Sequence, residues 1–323
     1  MFRYDVNALR VIAVFSVVIY HFNLGVFNSG FVGVDVFFVI SGYLMTKIIT
    51  KGLDDNNFSY IAFTKARFIR IVPPLLVLII VLSVYVILFT NSSEVIKAFE
   101  HIFSSLLFFS NYTYLYESGY FDAASMEKWL LHTWSLSVEW QFYMLLPILL
   151  ILIPKRGRLL SISLLLLCSL FFSVIASQLN SSFSYYSLPS RMWAMLAGVL
   201  AYLIQKRDGV NVFPNFFGWV GIVMIILSGI VFDSQNGWPN IYTIIPVLGT
   251  VFVLMTKLEV KVFQHPVIVY LGKSSYSLYL WHWPFVVYMY KNNLEEYTAL
   301  FVLLAFILSC ISYSFVEKKL CKA

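Results

Sequence analysis

The feature that most constrains this chain is the recurrence, from one end to the other, of apolar runs about as long as a bilayer is thick. A hydrocarbon core of about 30 Å takes roughly 20 apolar residues per spanning helix. Such runs fall at residues 7–26, 31–50, 71–89, 130–153, 159–177, 188–205, 216–232, 241–256, 267–290 and 297–316. Across 323 residues, 60% are hydrophobic and only 12% charged, against about 25% charged in soluble domains. A backbone in lipid must satisfy its own hydrogen bonds, and for segments of this length the helix does so. The expected fold is therefore all-α: a polytopic transmembrane helix bundle of about ten spans. Residues 1–323 are expected to form one such domain, with no soluble domain appended.

Loop charges orient the bundle, because short cytoplasmic loops carry an excess of Lys and Arg. Lys47, Lys51, Lys65, Arg67 and Arg70 mark one cytoplasmic stretch, and Glu117, Asp122 and Glu127 an external one. Lys155, Arg156 and Arg158, Lys206 and Arg207, Lys257 and Lys261, and Lys318, Lys319 and Lys322 also read as cytoplasmic. Both termini are then cytoplasmic, and one net crossing lies between Phe89 and Pro154. An eleventh segment at 98–114, carrying Glu100 and His101, is accordingly expected to be interfacial or re-entrant. The net charge of +6 follows from these loops, so nucleic acid is not an expected partner, whereas membrane lipids are. Cys168, Cys310 and Cys321 lack metal or disulfide spacing, and no metal site is expected. Trp129, Trp134, Trp140, Trp238, Trp281 and Trp283 lie near predicted boundaries and read as interfacial anchors and core packing.

An ionisable residue inside a span costs about 2.5 to 3.5 kcal/mol on insertion scales, so it is a candidate for function. Arg10 and His21 lie eleven residues apart on the first span, or about 16 Å and three turns along one helical stripe. A cation at one depth and an imidazole at another suit a long ligand with an anionic head and a reactive end. Snorkelling of Arg10 and a structural bond from His21 explain the spacing equally. Asp35, about one turn into the second span, is placed to orient or acidify His21, or else to pair within the fold. Arg67 and Arg70, three residues apart, can face one anion, since guanidinium groups grip phosphate bidentately. Glu139, His132, His282 and Arg191 fall at or near the outer half of their spans. Four titratable groups, His21, Asp35, Glu139 and His282, thus share one expected depth and point to a reaction chamber on the outer side. Arg191 is placed to hold an anionic group or to pair with a carboxylate. No GxSxG elbow or HExxH helix occurs, and LGKSS lacks the upstream glycine of a phosphate loop.

At these residues the sequence resembles the membrane-bound acyltransferase family 3, which includes bacterial O-antigen and exopolysaccharide O-acetyltransferases. The resemblance is carried by LRVIAVFSVVIYH with Arg10 and His21, GFVGVDVFFVISGYL, ARFIRIVPP, HTWSLSVEWQFYMLLP, RMWAMLAGVLAYL, SLYLWHWP and FVEKKL. It implies a bacterial inner-membrane enzyme that moves an acyl group, usually acetyl from cytoplasmic acetyl-CoA, to a hydroxyl of a surface or lipid-linked glycan. Acetyl-CoA would be a co-substrate, with no permanently bound cofactor. One departure stands out: Ala194 replaces a glutamate common three residues after the family's equivalent of Arg191. Some members append a soluble esterase-like domain. If such a relay is required here, a separate soluble partner is expected to supply it.

The expected roles are His21 as general base with Glu139 or Asp35 tuning it, Arg10, Arg67 and Arg70 on CoA, and His282, Arg191, His132 and Trp281 toward the acceptor. Direct attack needs a single transfer; an acyl-histidine intermediate would need two. The rival class is a transporter, because polar groups at midplane depth also line substrate pathways.

Overall fold

A computed structural model describes residues 2–118, 125–209, 213–232 and 237–320; Asp122, Cys321 and Lys322 lie outside them. The described residues form helices and no strands. Each of the ten apolar runs becomes a helix, in order α1 (Tyr4–His21), α2 (Val32–Asp54), α3 (Tyr60–Phe89), α6 (Thr133–Leu152), α7 (Arg158–Leu179), α9 (Leu188–Asp208), α10 (Asn215–Val231), α11 (Ile244–Thr256), α12 (Pro266–Lys291) and α13 (Thr298–Ser312). Three short helices lie between them: α4 (Ser92–Leu106), α5 (Ser110–Tyr116) and α8 (Ser181–Tyr186). Among the described residues seven helical segments are long and apolar enough to cross a membrane, and α10 and α11 are shorter apolar helices. The chain is a multi-pass helical membrane protein.

The 98–114 segment divides into α4 and α5, with Phe108 between them at φ 57°. A bulky residue held in the left-handed region ends α4 after 15 residues, about 22 Å and short of the 30 Å core. The α4–α5 pair is thus not a single spanning helix.

The helices group into two compact units. The first comprises Met1–Tyr60 and Gln141–Lys273. Water does not drive helices together in lipid, so close approach at small residues must do so. A Cβ on Gly42 of α2 would lie 1.9 Å from the Met195 carbonyl of α9, and one on Gly198 of α9 would lie 2.0 Å from the Val39 carbonyl. Each glycine thus lets the other helix's backbone in. Gly221 and Gly249 repeat the device between α10 and α11, at 2.3 and 2.7 Å. At one face of this unit Asp54, at the end of α2, pairs with Lys155 after α6 and with Lys206 at the end of α9. Three helix ends therefore share a side, which requires an even number of crossings between Asp54 and Lys155. Arg158 turns back there to donate to the carbonyls of Leu150 (2.6 Å) and Ile153 (3.1 Å), satisfying the open end of α6.

The second unit comprises Ile61–Trp140 and Ser274–Ala323. α12 and α13 run antiparallel in it: the Phe285 and Phe301 rings lie 6.3 Å apart, and Ser277 reaches Glu317 at 2.9 Å. Leu300, Leu303, Ile307 and Ile311 form the exposed side of α13, as a lipid-facing stripe should.

Candidate functional site

In the first unit α1 carries Arg10 and His21 on one continuous helix. The expected span ran to residue 26, but the helix stops at His21. Asn23 (φ 51°) and Gly25 (φ 75°) are left-handed, and the amides of Asn23 and Leu24 fold back on the carbonyls of Tyr20 and Ile19. His21 is thus the last helical residue, half-buried, its ring tilted against Tyr20 at 5.2 Å.

Asp35 has partners other than an imidazole. Its Oδ1 accepts from Arg191 Nη1 at 3.1 Å and its Oδ2 from the Trp238 indole at 2.9 Å. Arg191 also donates from Nε to the Tyr185 carbonyl at 3.0 Å and sits 4.8 Å above the Tyr185 ring. Asp35 and Arg191 are 1% and 2% exposed, so this is a desolvated ion pair, held further by the hydrogen bonds to Trp238 and the Tyr185 carbonyl. It ties the start of α2 to the start of α9 and to the α10–α11 connection. Nothing in the sequence pattern links Trp238 to this pair. It lies in a connection without periodicity, and only its place beside Pro239 and Asn240 marks a turn. Ala194 is buried on α9.

In the second unit the apolar run expected from Ile71 is only the later part of a longer helix. α3 begins at Tyr60 and runs through Pro73 and Pro74, so Arg67 and Arg70 lie on a formed helix, half-buried and one turn apart. The prolines deprive α3 of donors, and just before them the Ile71 carbonyl accepts from the Tyr276 hydroxyl of α12 at 2.7 Å.

His132 and His282 meet at 5.8 Å between ring centroids. Tyr279 links them: its hydroxyl donates to the His132 carbonyl at 2.8 Å, while its own carbonyl lies 2.6 Å from His282 Nδ1. A carbonyl can only accept, so His282 carries a proton on Nδ1. Glu139 is half-buried on α6. Arg70, Glu139 and Glu317 all act electrostatically on Tyr276. Glu317 escaped the sequence reading because it stands among lysines in FVEKKL, yet it is buried in a π-turn, Tyr313–Glu317, and accepts from Ser277. Trp281 is buried on α12.

Outside the spans, Glu117 accepts from His101 at 2.9 Å and pairs with Lys128 at 3.5 Å. Burial opposes its ionisation, but the His101 hydrogen bond and the fields of His101, Lys128 and Lys97 prevail and hold the carboxyl below its ordinary value. Trp129 donates to Glu94 at 2.7 Å, and Lys291 pairs with the same carboxylate. Among the described residues no group of three or more His, Cys, Asp or Glu side chains is gathered where it could hold a metal ion.

The family-3 model described as an acyltransferase domain matches residues 3–316. The chain belongs to acyltransferase family 3. A provisionally named O-acetyltransferase of Staphylococcus aureus strain COL is 32% identical over 96% of this chain and 56% of its own length. The O-acetyltransferase OatA of Staphylococcus aureus strain NCTC 8325 is 28% identical over 96% and 56%. A provisionally named membrane-bound transacylase of Komagataeibacter xylinus, BcsY, is 29% identical over 98% of this chain and 82% of its own. The chain spans about half the length of the staphylococcal relatives. No solved structure matches it.

Proposed function

We propose that this family-3 member transfers an acyl group, acetyl in the simplest case, from acyl-CoA to a hydroxyl of a cell-surface or lipid-linked glycan. It would act as a single transferase domain in a bacterial cytoplasmic membrane, with both termini on the cytoplasmic side. The observation that carries this reading is the family match across residues 3–316, supported by relatives named for O-acetyl transfer and transacylation.

In this reading His21 is the general base. It takes the proton of the acceptor hydroxyl while that oxygen bonds to the acyl carbon, the C–S bond breaks, and CoA leaves as the thiolate. The end of a helix suits a base that must meet a substrate approaching from outside the bundle. Arg67 and Arg70, one turn apart, are assigned the phosphates of CoA. Arg10, three turns from His21 on its stripe, is assigned to an anionic part of the same ligand. His132 and His282 are assigned to the acceptor. Asp35 and Arg191 satisfy each other, which supports a scaffold role that fixes the starts of α2 and α9. Glu139 remains as the carboxylate assigned to proton transfer.

The test is purified protein in proteoliposomes with radiolabelled acetyl-CoA and extracted surface glycan. Label on the glycan, removable by mild alkali as an ester, is the expected result. Movement of glycan or acetyl-CoA across the bilayer with neither modified would establish the transporter reading instead.

A further inference from the structure

The seam between α12 and α13 contains two polar groups that the fold leaves without a counterpart. The Trp281 indole nitrogen and the Ser312 hydroxyl are buried, their residues 5% and 3% exposed, and neither has a hydrogen-bond partner among the described residues. A buried donor left unmade costs about 1 to 3 kcal/mol, so two on one seam call for a ligand or a reason.

Their register places them on the same side of the helix pair. Ser277 and Glu317 bind the helices at 2.9 Å. Trp281 is four residues beyond Ser277 on α12, on the same face one turn away. Ser312 is five residues before Glu317, and the intervening π-turn, with its i to i+5 repeat, returns it to the same side. Because the helices are antiparallel, both displacements run in the same direction from the Ser277–Glu317 bond. An indole N–H donates only, and a serine hydroxyl can also donate. Two donors on facing helices suit an oxygen that accepts twice and brings no proton, and in a buried apolar seam an uncharged carbonyl does so without the cost of burying an anion. The Tyr276 hydroxyl reaches the carbonyl of Ile71, the residue next to Arg70 on α3, at 2.7 Å, and Trp281 lies about 7.5 Å further along α12. A ligand with its phosphates at Arg70 and its acyl group deeper in the unit fits that order.

We propose that Trp281 and Ser312 form a carbonyl subsite that receives the oxygen of the acyl group being transferred. The inference rests on the acyltransferase reading. When the acceptor oxygen attacks the acyl carbon, the C=O electron pair moves onto this oxygen and returns as the C–S bond breaks. The two donors stabilise the charge in between, and act most strongly in the transition state. An ester carbonyl of a membrane lipid has the same chemistry, so the experiment separates the two sources.

Trp281→Phe keeps the ring and removes the donor; Ser312→Ala removes the hydroxyl and Ser312→Thr retains one. Acetyl transfer is measured in lipid-free detergent, with monodispersity and thermal midpoint as folding controls. The expected result is a fall in kcat of about 100-fold for Trp281→Phe, as for loss of one oxyanion donor. KM for acetyl-CoA should be little changed, with a loss in Ser312→Ala that Ser312→Thr restores. Unaltered kcat in both Trp281→Phe and Ser312→Ala overturns the subsite while leaving the transferase reading intact. Unaltered kcat with a thermal midpoint shifted only in lipid nanodiscs identifies a lipid ester as the occupant and overturns the assignment to the acyl donor. A wild-type protein that transfers nothing overturns both readings.

Discussion

Replacing Asp35 with Asn would separate a scaffold role from a chemical one. The change preserves shape and leaves the Trp238 indole an acceptor, but strips the negative charge from Arg191, whose guanidinium is held at 3.1 Å from Oδ1. Both partners are almost wholly out of solvent, at 1% and 2% exposed, so neither water nor salt can compensate. Breaking a buried pair by removing one partner costs about 3 to 5 kcal/mol, whereas replacing both with apolar residues of similar volume is often neutral or stabilising. Asp35→Asn should therefore lose about 3 to 5 kcal/mol in reversible mixed-micelle unfolding, and Asp35→Leu with Arg191→Met should recover part of it, less about 1 to 3 kcal/mol for the Trp238 indole left without its acceptor. Acyl transfer per folded molecule should survive in the double variant. If Asp35→Asn keeps wild-type stability while transfer is lost, Asp35 takes part in the chemistry and the scaffold argument is refuted.

Gly198→Val should force α2 and α9 apart, because even a Cβ meets the Val39 carbonyl at 2.0 Å; loss of monodisperse protein is expected, and normal yield and thermal midpoint would contradict it. Single alanine changes at Arg67 and Arg70 should chiefly raise KM for acyl-CoA, with Lys rescuing only in part because it lacks the bidentate fork; unchanged KM in both would reduce them to topology anchors. Glu117, held below the ordinary value of 4.5, contributes stability that is present above that pH and is lost as pH falls through its lower folded value. The thermal midpoints of wild type and Glu117→Gln should thus differ most near neutrality and converge in acid below about pH 4.5; a gap that widens in acid would reverse the sign.

Ten helices were legible in the sequence because hydropathy measures the transfer of side chains into lipid, which is what fixes a span. Their ends were less legible, since a helix ends where its hydrogen bonds do. α3 continues back to Tyr60 through Lys65, Arg67 and Arg70, which hydropathy assigns to water but which helical geometry accommodates. α1 ends at His21, where Asn23 and Gly25 turn the backbone, although Leu24 and Val26 remain apolar. Most of the intramembrane candidates, though not Trp281 or the Arg67 and Arg70 pair, were found by one signal, charge at an unfavourable depth. That signal nominated Asp35 and Arg191 separately without revealing that each is the other's partner. It was blind to Trp238, a neutral side chain in a connection, and to Glu317, whose lysine neighbours disguised it as part of a polar tail. Pairing across 156 residues, as between Asp35 and Arg191, depends on which helices pack together, and periodicity does not carry that information.

The most direct test of the account is the acyl-transfer rate of His21→Gln, measured at matched protein level with His21→Ala beside it. Glutamine preserves polarity and hydrogen bonding at the end of α1 but cannot take a proton, so insertion and thermal midpoint should match wild type. General base catalysis contributes about 100-fold to 10,000-fold, and a loss of that size in both variants is the predicted result. Transfer by His21→Gln within a few-fold of wild type would remove His21 from the mechanism.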